Sequence, residues 1–401
     1  MVESPIIIVD IGGNTFGTVQ KSGTPQSGMS ITYPNFIQDL KIVKVNGTVN
    51  TYTLTMVYAI QAGDDPNFMD KAFSQIADTR KITFSYGDCM SPSYIYKTEE
   101  AIVTSVKSSI NFKSSTITYT VTATSSAFAL NSVKYDFPAR EAKPSDVIFE
   151  LLSNPSYGLS QVFYGMSNVA KVRQSNLIST NDKKVKIDAQ RQVGVLDYTK
   201  YLVQCMSSTT NNTDNPIQDS TYALTMSDET SNDLGGPVFQ VQQVPTNVPN
   251  ANSLETYTVD IGFPGNSFVT EFSVDSSELW SLLYKSSEAL QQTQYVYTID
   301  NEGHIVSTYS PNITTSSIRN KTTPALSSWW TQMTQFPVTA SLTVKGLIRP
   351  AMLMSYVRAN VYFYGTKHNT SGLYIITRQE DTINASGYRT TLSLTRIGGD
   401  E

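Results

Sequence analysis

The sequence predicts a mainly β fold with α+β parts, and three observations carry that expectation. Tyr (23) and Phe (16) are plentiful, and Ser and Thr together make up 94 of the 401 residues. With Val and Ile spread throughout, this composition suits pleated, half-buried surfaces. Residues 116–124 alternate strictly, setting Ile117, Tyr119, Val121 and Ala123 against Thr118, Thr120, Thr122 and Thr124. That is the period of a half-buried antiparallel strand. Finally, residues 102–122 recur without gaps at 375–395, so one β unit is expected twice. At roughly 100 to 200 residues per domain, the length predicts two to four domains.

The first domain is expected over 1–128, with strands at 51–59, 81–86, 101–106 and 116–124. Between the strands at 51–59 and 81–86, residues 66–76 place Phe68, Met69, Ala72, Phe73 and Ile76 at helical spacing, predicting one short helix that plugs a barrel or covers an edge. An α+β middle domain follows over 129–245. Pro144-Ser145-Asp146 opens a helix carrying Val147, Ile148, Leu151 and Leu152, and Asn154-Pro155 stops it. A second amphipathic helix is predicted over 196–206. A polar loop follows over 207–220, then short strands near 222–226 and 238–241. Residues 245–253 read as a linker.

β character returns at 257–274, predicting a second β domain over 246–276 and 337–401. An insertion over 277–336 splits it. The insertion is expected to hold a helix at 277–291, a hairpin turning at Asp300-Asn301-Glu302-Gly303, and a helix at 325–336 that carries Trp329 and Trp330. Adjacent Trp residues beside Met333 and Phe336 suggest one core and one interface side chain, so both are candidate partner-interface residues.

Six positions of the repeat are identical: Ile102/Ile375, Thr104/Thr377, Ile110/Ile383, Asn111/Asn384, Thr118/Thr391 and Thr122/Thr395. Tyr119 and Val121 align with Leu392 and Leu394. Two further matches keep the same order, Tyr86-Gly87 with Tyr364-Gly365 and Val9-Asp10-Ile11-Gly12 with Val259-Asp260-Ile261-Gly262. Ordered matches favour duplication. A trimer of a duplicated domain presents six similar units and can mate with a hexameric ring. Ile102, Thr104, Tyr119, Val121, Ile375, Thr377, Leu392 and Leu394 are the candidate ring-forming strand residues.

Several function classes are disfavoured. Net charge is −5, and no Lys/Arg run exceeds Lys183-Lys184, so no basic footprint exists for sequence-specific nucleic-acid binding. No apolar stretch approaches the roughly 18 residues of a membrane helix, and the start lacks the pattern of a secretory signal. Cys89 and Cys205 lie 116 positions apart and are expected to be buried thiols, with no disulfide framework and no zinc site. His304 and His368 have no neighbours that would make a hydrolase triad. Gly265-Asn266-Ser267-Phe268-Val269 fails the nucleophile-elbow pattern at its last position. Val9 to Thr15 resembles the phosphate loop of actin-like sugar kinases, but the helix-and-parallel-strand pattern that such a fold requires is missing downstream, and a tight turn is expected. Asp300 to Gly303 is too short for an EF-hand. The acid pairs Glu99-Glu100 and Glu380-Asp381 are expected on solvated faces. No catalytic residue, cofactor or metal is expected.

The closing segment Leu373-Tyr374-Ile375-Ile376-Thr377 and Ile383 to Leu392 resembles the last hairpin of the tube-type barrels in baseplate hub proteins of contractile-tailed bacteriophages and related injection machines. Arg140 through Leu152, Gln190 to Met206, and Phe336-Pro337 to Gly346 with Arg349-Pro350 fit the same layout. The resemblance implies two tube-type antiparallel β-barrels per chain, in a homotrimeric hub with a pseudo-sixfold ring. It further implies partners in the tail tube protein, the central spike protein and other baseplate proteins, a virion location, and a lumen through which DNA passes. A receptor-binding or adhesin-like β protein, and behind it a cell-wall hydrolase, are the alternatives.

Overall fold

The computed structural model describes residues 5–11, 14–17, 37–61, 81–88, 95–157, 171–172, 184–207, 221–229, 238–244, 255–262, 268–275, 295–299, 305–309, 338–346, 353, 355–384 and 386–399. The expected helices at 66–76, 277–291 and 325–336 (with Trp329 and Trp330) lie outside those residues. So do the loop beyond 207, the linker, the turn at 300–303, Cys89 and His304.

The N-terminal part contains β1 (Pro5–Ile11), β2 (Asn14–Gly17), β3 (Ile37–Val45), β4 (Thr51–Ala59), β5 (Lys81–Asp88), β6 (Ile95–Asn111) and β7 (Thr116–Thr124). The middle part holds β8 (Tyr135–Phe137), β9 (Arg140–Ala142), helix α1 (Pro144–Ser153), β10 (Lys171–Val172), β11 (Val185–Ile187), β12 (Gln190–Val193), helix α2 (Val195–Ser207), β13 (Thr221–Ser227) and β14 (Val238–Val244). The C-terminal part holds β15 (Glu255–Ile261), β16 (Val269–Asp275), β17 (Tyr295–Ile299), β18 (Ile305–Tyr309), β19 (Thr339–Lys345), β20 (Tyr356–Phe363), β21 (Thr366–Lys367), β22 (Gly372–Asn384) and β23 (Gly387–Gly399).

The fold is mainly β, as composition and alternation predict. Fourteen strands from the N- and C-terminal parts join one sheet in the order β16-β19-β23-β22-β3-β4-β7-β6-β5-β1-β2, with β20 branching from β22 and carrying β15 and β21. Most neighbours are antiparallel; β15 with β20 and β10 with β14 are parallel. The alternation over 116–124 appears as predicted, with Tyr119, Val121 and Ala123 buried. β1 and β2 are antiparallel neighbours with Ile11 opposite Asn14, and Gly12 and Gly13, where the tight turn is expected, lie outside the described residues.

Three apolar cores divide the described residues. The first gathers β1–β7, the second packs α1, α2, β13 and β14, and the third packs β19, β20, β22 and β23. Pro144 occupies the first turn of α1, where its missing N–H is harmless, and Asp146 sits beside the positive end of the helix. Val147, Ile148 and Leu151 turn inward against Leu202 and Met206 of α2, the i, i+3/i+4 face that the spacing predicts.

The two parts of the large sheet are built alike. Ile102 pairs with Thr124 and Ile375 with Thr395, and each hairpin has a bulge at the equivalent threonine, Thr104 and Thr377, with β22 carrying a second irregularity between Leu373 and Tyr374. Each bulged threonine donates its hydroxyl across the ladder, Thr104 Oγ1 to Thr122 O (3.1 Å) and Thr377 Oγ1 to Ser393 O (3.2 Å). Outward from there, β4 and β19 carry the same pairing. β3 and β16 share a further bulge, with Ile37 opposite Met56 and Val269 opposite Val344.

This register corrects the gapless repeat on its second strand. Four residues separate Asn111 from its partner Thr116, but only two separate Asn384 from Gly387. The offset therefore falls from 273 to 271, and the counterparts of Tyr119, Val121 and Ala123 are Thr390, Leu392 and Leu394. A shift of two keeps every side chain on its face. The other two matches do not survive. Tyr86 is buried inside β5, whereas Tyr364 is an exposed turn residue, and the position equivalent to Tyr86 is Val361. β1 runs antiparallel to β5, while β15, which carries the recurrent Val-Asp-Ile-Gly, runs parallel to β20.

Candidate assembly surface

β22 is long enough to serve two neighbours on one edge. Its first half, Gly372 to Ile375, pairs with β20, and its second half, Arg378 to Asn384, pairs with β3 from Val45 back to Asp39. This junction fuses the two equivalent sheets. Ile383 and Tyr388, carried by the C-terminal hairpin, are 1% and 4% exposed and belong to the first core. On the rim, Lys41 Nζ lies 2.5 Å from Glu380 Oε1.

Behind the junction lies a buried polar cluster fed by all three parts of the chain. Lys44 of β3 pairs with Glu99 of β6. Tyr52 Oη stands 2.9 Å from Glu99 Oε2 and 3.0 Å from Asp228 Oδ2. Asp228 also accepts from Asn50 Nδ2 (2.8 Å) and Ser125 Oγ (2.5 Å). Asp381 of β22 accepts from Gln379 Nε2 (2.7 Å) and Thr390 Oγ1 (2.6 Å). Main-chain bonds reinforce the meeting point, Asn46 N to Thr377 O and Gly47 N to Leu224 O. The expectation of solvated acid pairs is corrected here, since Glu99 and Asp381 are fully buried. Successive strand residues point to opposite faces, so one acid of each pair turns inward while Glu100 and Glu380 stay at the surface.

The Tyr52 hydroxyl has one hydrogen and two carboxylate oxygens within reach, Glu99 Oε2 and Asp228 Oδ2, so the two acids share a single donor. Burial pushes Asp228 up to about 6, with the Glu99 charge adding to the effect. Burial pulls the Lys44 ammonium down, but the surrounding carboxylates of Glu99, Asp381 and Asp228 outweigh it and hold Lys44 above its ordinary value. Burial likewise raises Asp381.

Among the described strands β6 beyond Ile102 pairs with β7 alone and β16 pairs with β19 alone, as β2 pairs with β1 alone and β15 with β20 alone. The side chains of β6 and β16 differ in burial from their equivalents at the junction. Val106 and Ile110 are 39% and 56% exposed, while the matching Gln379 and Ile383 are 1% exposed. Phe272 and Val274 are only half-buried, while the matching Leu40 and Ile42 are fully buried. Phe112 at the tip of the β6–β7 hairpin is 88% exposed.

The eight strand residues singled out by the repeat lie elsewhere. Ile102, Tyr119, Val121, Ile375, Leu392 and Leu394 are buried, and Thr104 and Thr377 are the two bulges. The edges themselves escaped the sequence reading. A repeat marks the conserved interior of a unit, whereas an open edge is defined by a missing neighbour. Exposed apolar residues in an otherwise alternating strand, Val106 and Ile110, were the available signal.

A further exposed aromatic group caps the other end of β20. Phe363 meets the His368 ring in a tilted contact at 4.8 Å, and Tyr364, at φ 50, lays its ring over Gly262. A Cβ at Gly262 would come within 2.4 Å of that ring, so only glycine fits. Among the described residues no group of three metal-ligating side chains occurs, and no helix is long and apolar enough to cross a membrane.

The architecture is shared with solved tail proteins. The chain matches a tail protein from Neisseria meningitidis with a TM-score of 0.54 at 10% identity, covering 98% of this chain and 97% of that one. It matches the 43 kDa tail protein of prophage MuSo2 from Shewanella oneidensis with a TM-score of 0.50 at 12% identity, covering 98% and 96%. A component of the Escherichia coli type VI secretion system, described as similar to bacteriophage T4 tail proteins, matches at a TM-score of 0.45 and 8% identity over 90% and 74%. No protein-family model matches the sequence, and no curated protein matches it.

Proposed function

We propose that this chain is a structural, non-enzymatic tail protein, a baseplate hub that assembles as a homotrimer. Each chain contributes two duplicated β units, over 1–128 and over 246–276 with 337–401, to a pseudo-sixfold ring between a hexameric tail tube and the central spike. The middle unit over 129–245 and the insertion over 277–336, with Trp329 and Trp330, face the remaining baseplate partners. The observation that carries this reading is the β22–β3 junction. It joins two units of the same strand order that share two bulges, at Thr104 and Thr377 and in β3 and β16, edge to edge, and an edge-to-edge contact between like units is heterologous, the kind that closes into rings. Full-length likeness to two solved tail proteins supports the tail assignment.

Light scattering on the purified chain tests the proposal. A mass near three times 44.2 kDa, with negative-stain rings that have a central hole, is expected. A monomer at every concentration, without rings, would refute it.

A further inference from the structure

We propose that Lys44 and Glu99 form an intramolecular amide, a covalent bond from Lys44 Nζ to Glu99 Cδ that ties β3 to β6 across the interior of the first unit. The bond belongs to the folded single chain and is independent of ring assembly.

Contact, burial and polarisation meet at this pair. Lys44 Nζ rests directly on Glu99 Oε1, with the carboxyl carbon one bond further on. Holding nucleophile and acceptor in contact replaces a bimolecular encounter by a unimolecular step. The pair is also closed to water, Lys44 and Glu99 being 8% and 0% exposed. Among the described residues the other lysine–carboxylate pairs, Lys41–Glu380, Lys81–Glu100 and Lys200–Asp197, all lie partly in solvent. Excluding water acts twice. It weakens the preference for two charges over a neutral amine and acid, and it protects the product amide from hydrolysis. Tyr52 supplies the third element. Its hydroxyl lies 2.9 Å from Glu99 Oε2, the oxygen on which negative charge grows as Nζ adds. The Tyr52 ring is fully buried and stacks on Phe84 at 4.9 Å, which holds the hydroxyl in place.

The steps balance within the pair. One ammonium proton passes from Nζ to Glu99 Oε1, leaving a neutral amine beside a neutral acid. The neighbouring carboxylates of Asp381 and Asp228 favour the ammonium, which makes this first transfer the slow one. The Nζ lone pair then adds to Cδ, and the π electrons of Cδ–Oε2 move onto Oε2, to which the Tyr52 hydroxyl donates. A second Nζ proton passes to the Oε1 hydroxyl, the Cδ–Oε1 bond breaks and water leaves. Nothing is oxidised or reduced. The product joins strands that no ladder joins, because β4 and β7 separate β3 from β6 in the sheet. The bonded residues stand 55 positions apart, so the amide is a long-range clasp that neither salt nor a reductant opens.

Intact mass spectrometry of the full chain, denatured after purification, reads the bond directly. The chain should weigh about 18 Da less than its sequence, the mass of one water. Lys44→Arg keeps the positive charge and should show the full mass. Digestion of the parent should yield a branched peptide joining the segment that holds Lys44 to the segment that holds Glu99, with no tryptic cleavage after Lys44. Tyr52→Phe keeps the ring on Phe84 but lacks the donor, so its water loss should be about a hundredfold slower and run as a time course from the full mass. A parent chain that keeps its full sequence mass through prolonged incubation, with Lys44 and Glu99 in separate linear peptides, would overturn the proposal. So would a water loss that maps to other residues.

Discussion

Replacing Asp228 by Asn should change the pH dependence of stability by an amount that follows from the junction cluster. Burial raises the carboxyl from 3.8 to about 6. A shift of about two units corresponds to about 3 kcal/mol between the charged and neutral forms. The folded state holds the Asp228 proton to higher pH than the unfolded chain does. The stabilisation from that proton is therefore fully present below pH 3.8 and is lost as pH rises through 6. Asn at this position is neutral throughout and cannot titrate. Its amide can donate to Tyr52 and its carbonyl can accept from Ser125, although the Asn50 amide must turn to avoid a donor facing a donor. That adjustment adds a constant offset. The pH-dependent part of the difference does not depend on it. Urea unfolding followed by circular dichroism from pH 4 to 7.5 measures both proteins. The variant should gain on the parent by about 2.4 kcal/mol across that interval, because part of the full shift is already lost at pH 4. A difference that changes by less than about 1 kcal/mol would refute the burial-raised Asp228 carboxyl at the junction.

Other consequences of the structure are open to direct measurement. Lys44→Met leaves Glu99 buried without its cation and should destabilise by about 3 to 5 kcal/mol, with Glu99→Gln in the same chain restoring most of the loss; additive losses in that double-mutant cycle would show the pair is not coupled. Thr104→Val and Thr377→Val each remove one cross-ladder hydrogen bond at equivalent bulges, so each should lower stability by about 0.5 to 1.5 kcal/mol and to a similar extent. A silent change at one site would break the equivalence of the two hairpins. Cys205 is fully buried, and burial pushes its thiol up to about 11. Mass spectrometry after maleimide treatment at pH 8 should find Cys205 unmodified in the native protein and modified in urea; rapid native labelling would contradict the packing of α2.

Local patterns carried much of the fold. Alternation over 116–124, the Pro144-Ser145-Asp146 start of α1, and the apolar spacing of α2 each appear where the sequence places them, because backbone period and side-chain burial are set by near neighbours. The hairpin repeat was legible for the same reason. Its second-strand register was not, since a turn two residues shorter moves every partner by two without changing which side chains face inward.

What the sequence by itself determined is a part of the strand set, including those at 51–59, 81–86, 101–106 and 116–124, with their inward faces and the existence of two like hairpins, whereas β3 and the short strands β8, β9, β11 and β12 were not legible in it. Only the tertiary structure decided which edges meet. Strand pairing is a long-range choice, made by backbone groups that every residue carries alike. The burial of Glu99, Asp228 and Asp381 around Lys44 depends on segments distant in the chain converging on one point. The apolar residues Val106 and Ile110 gain their meaning only beside Gln379 and Ile383, the same positions in a neighbouring sheet where the edge is already covered.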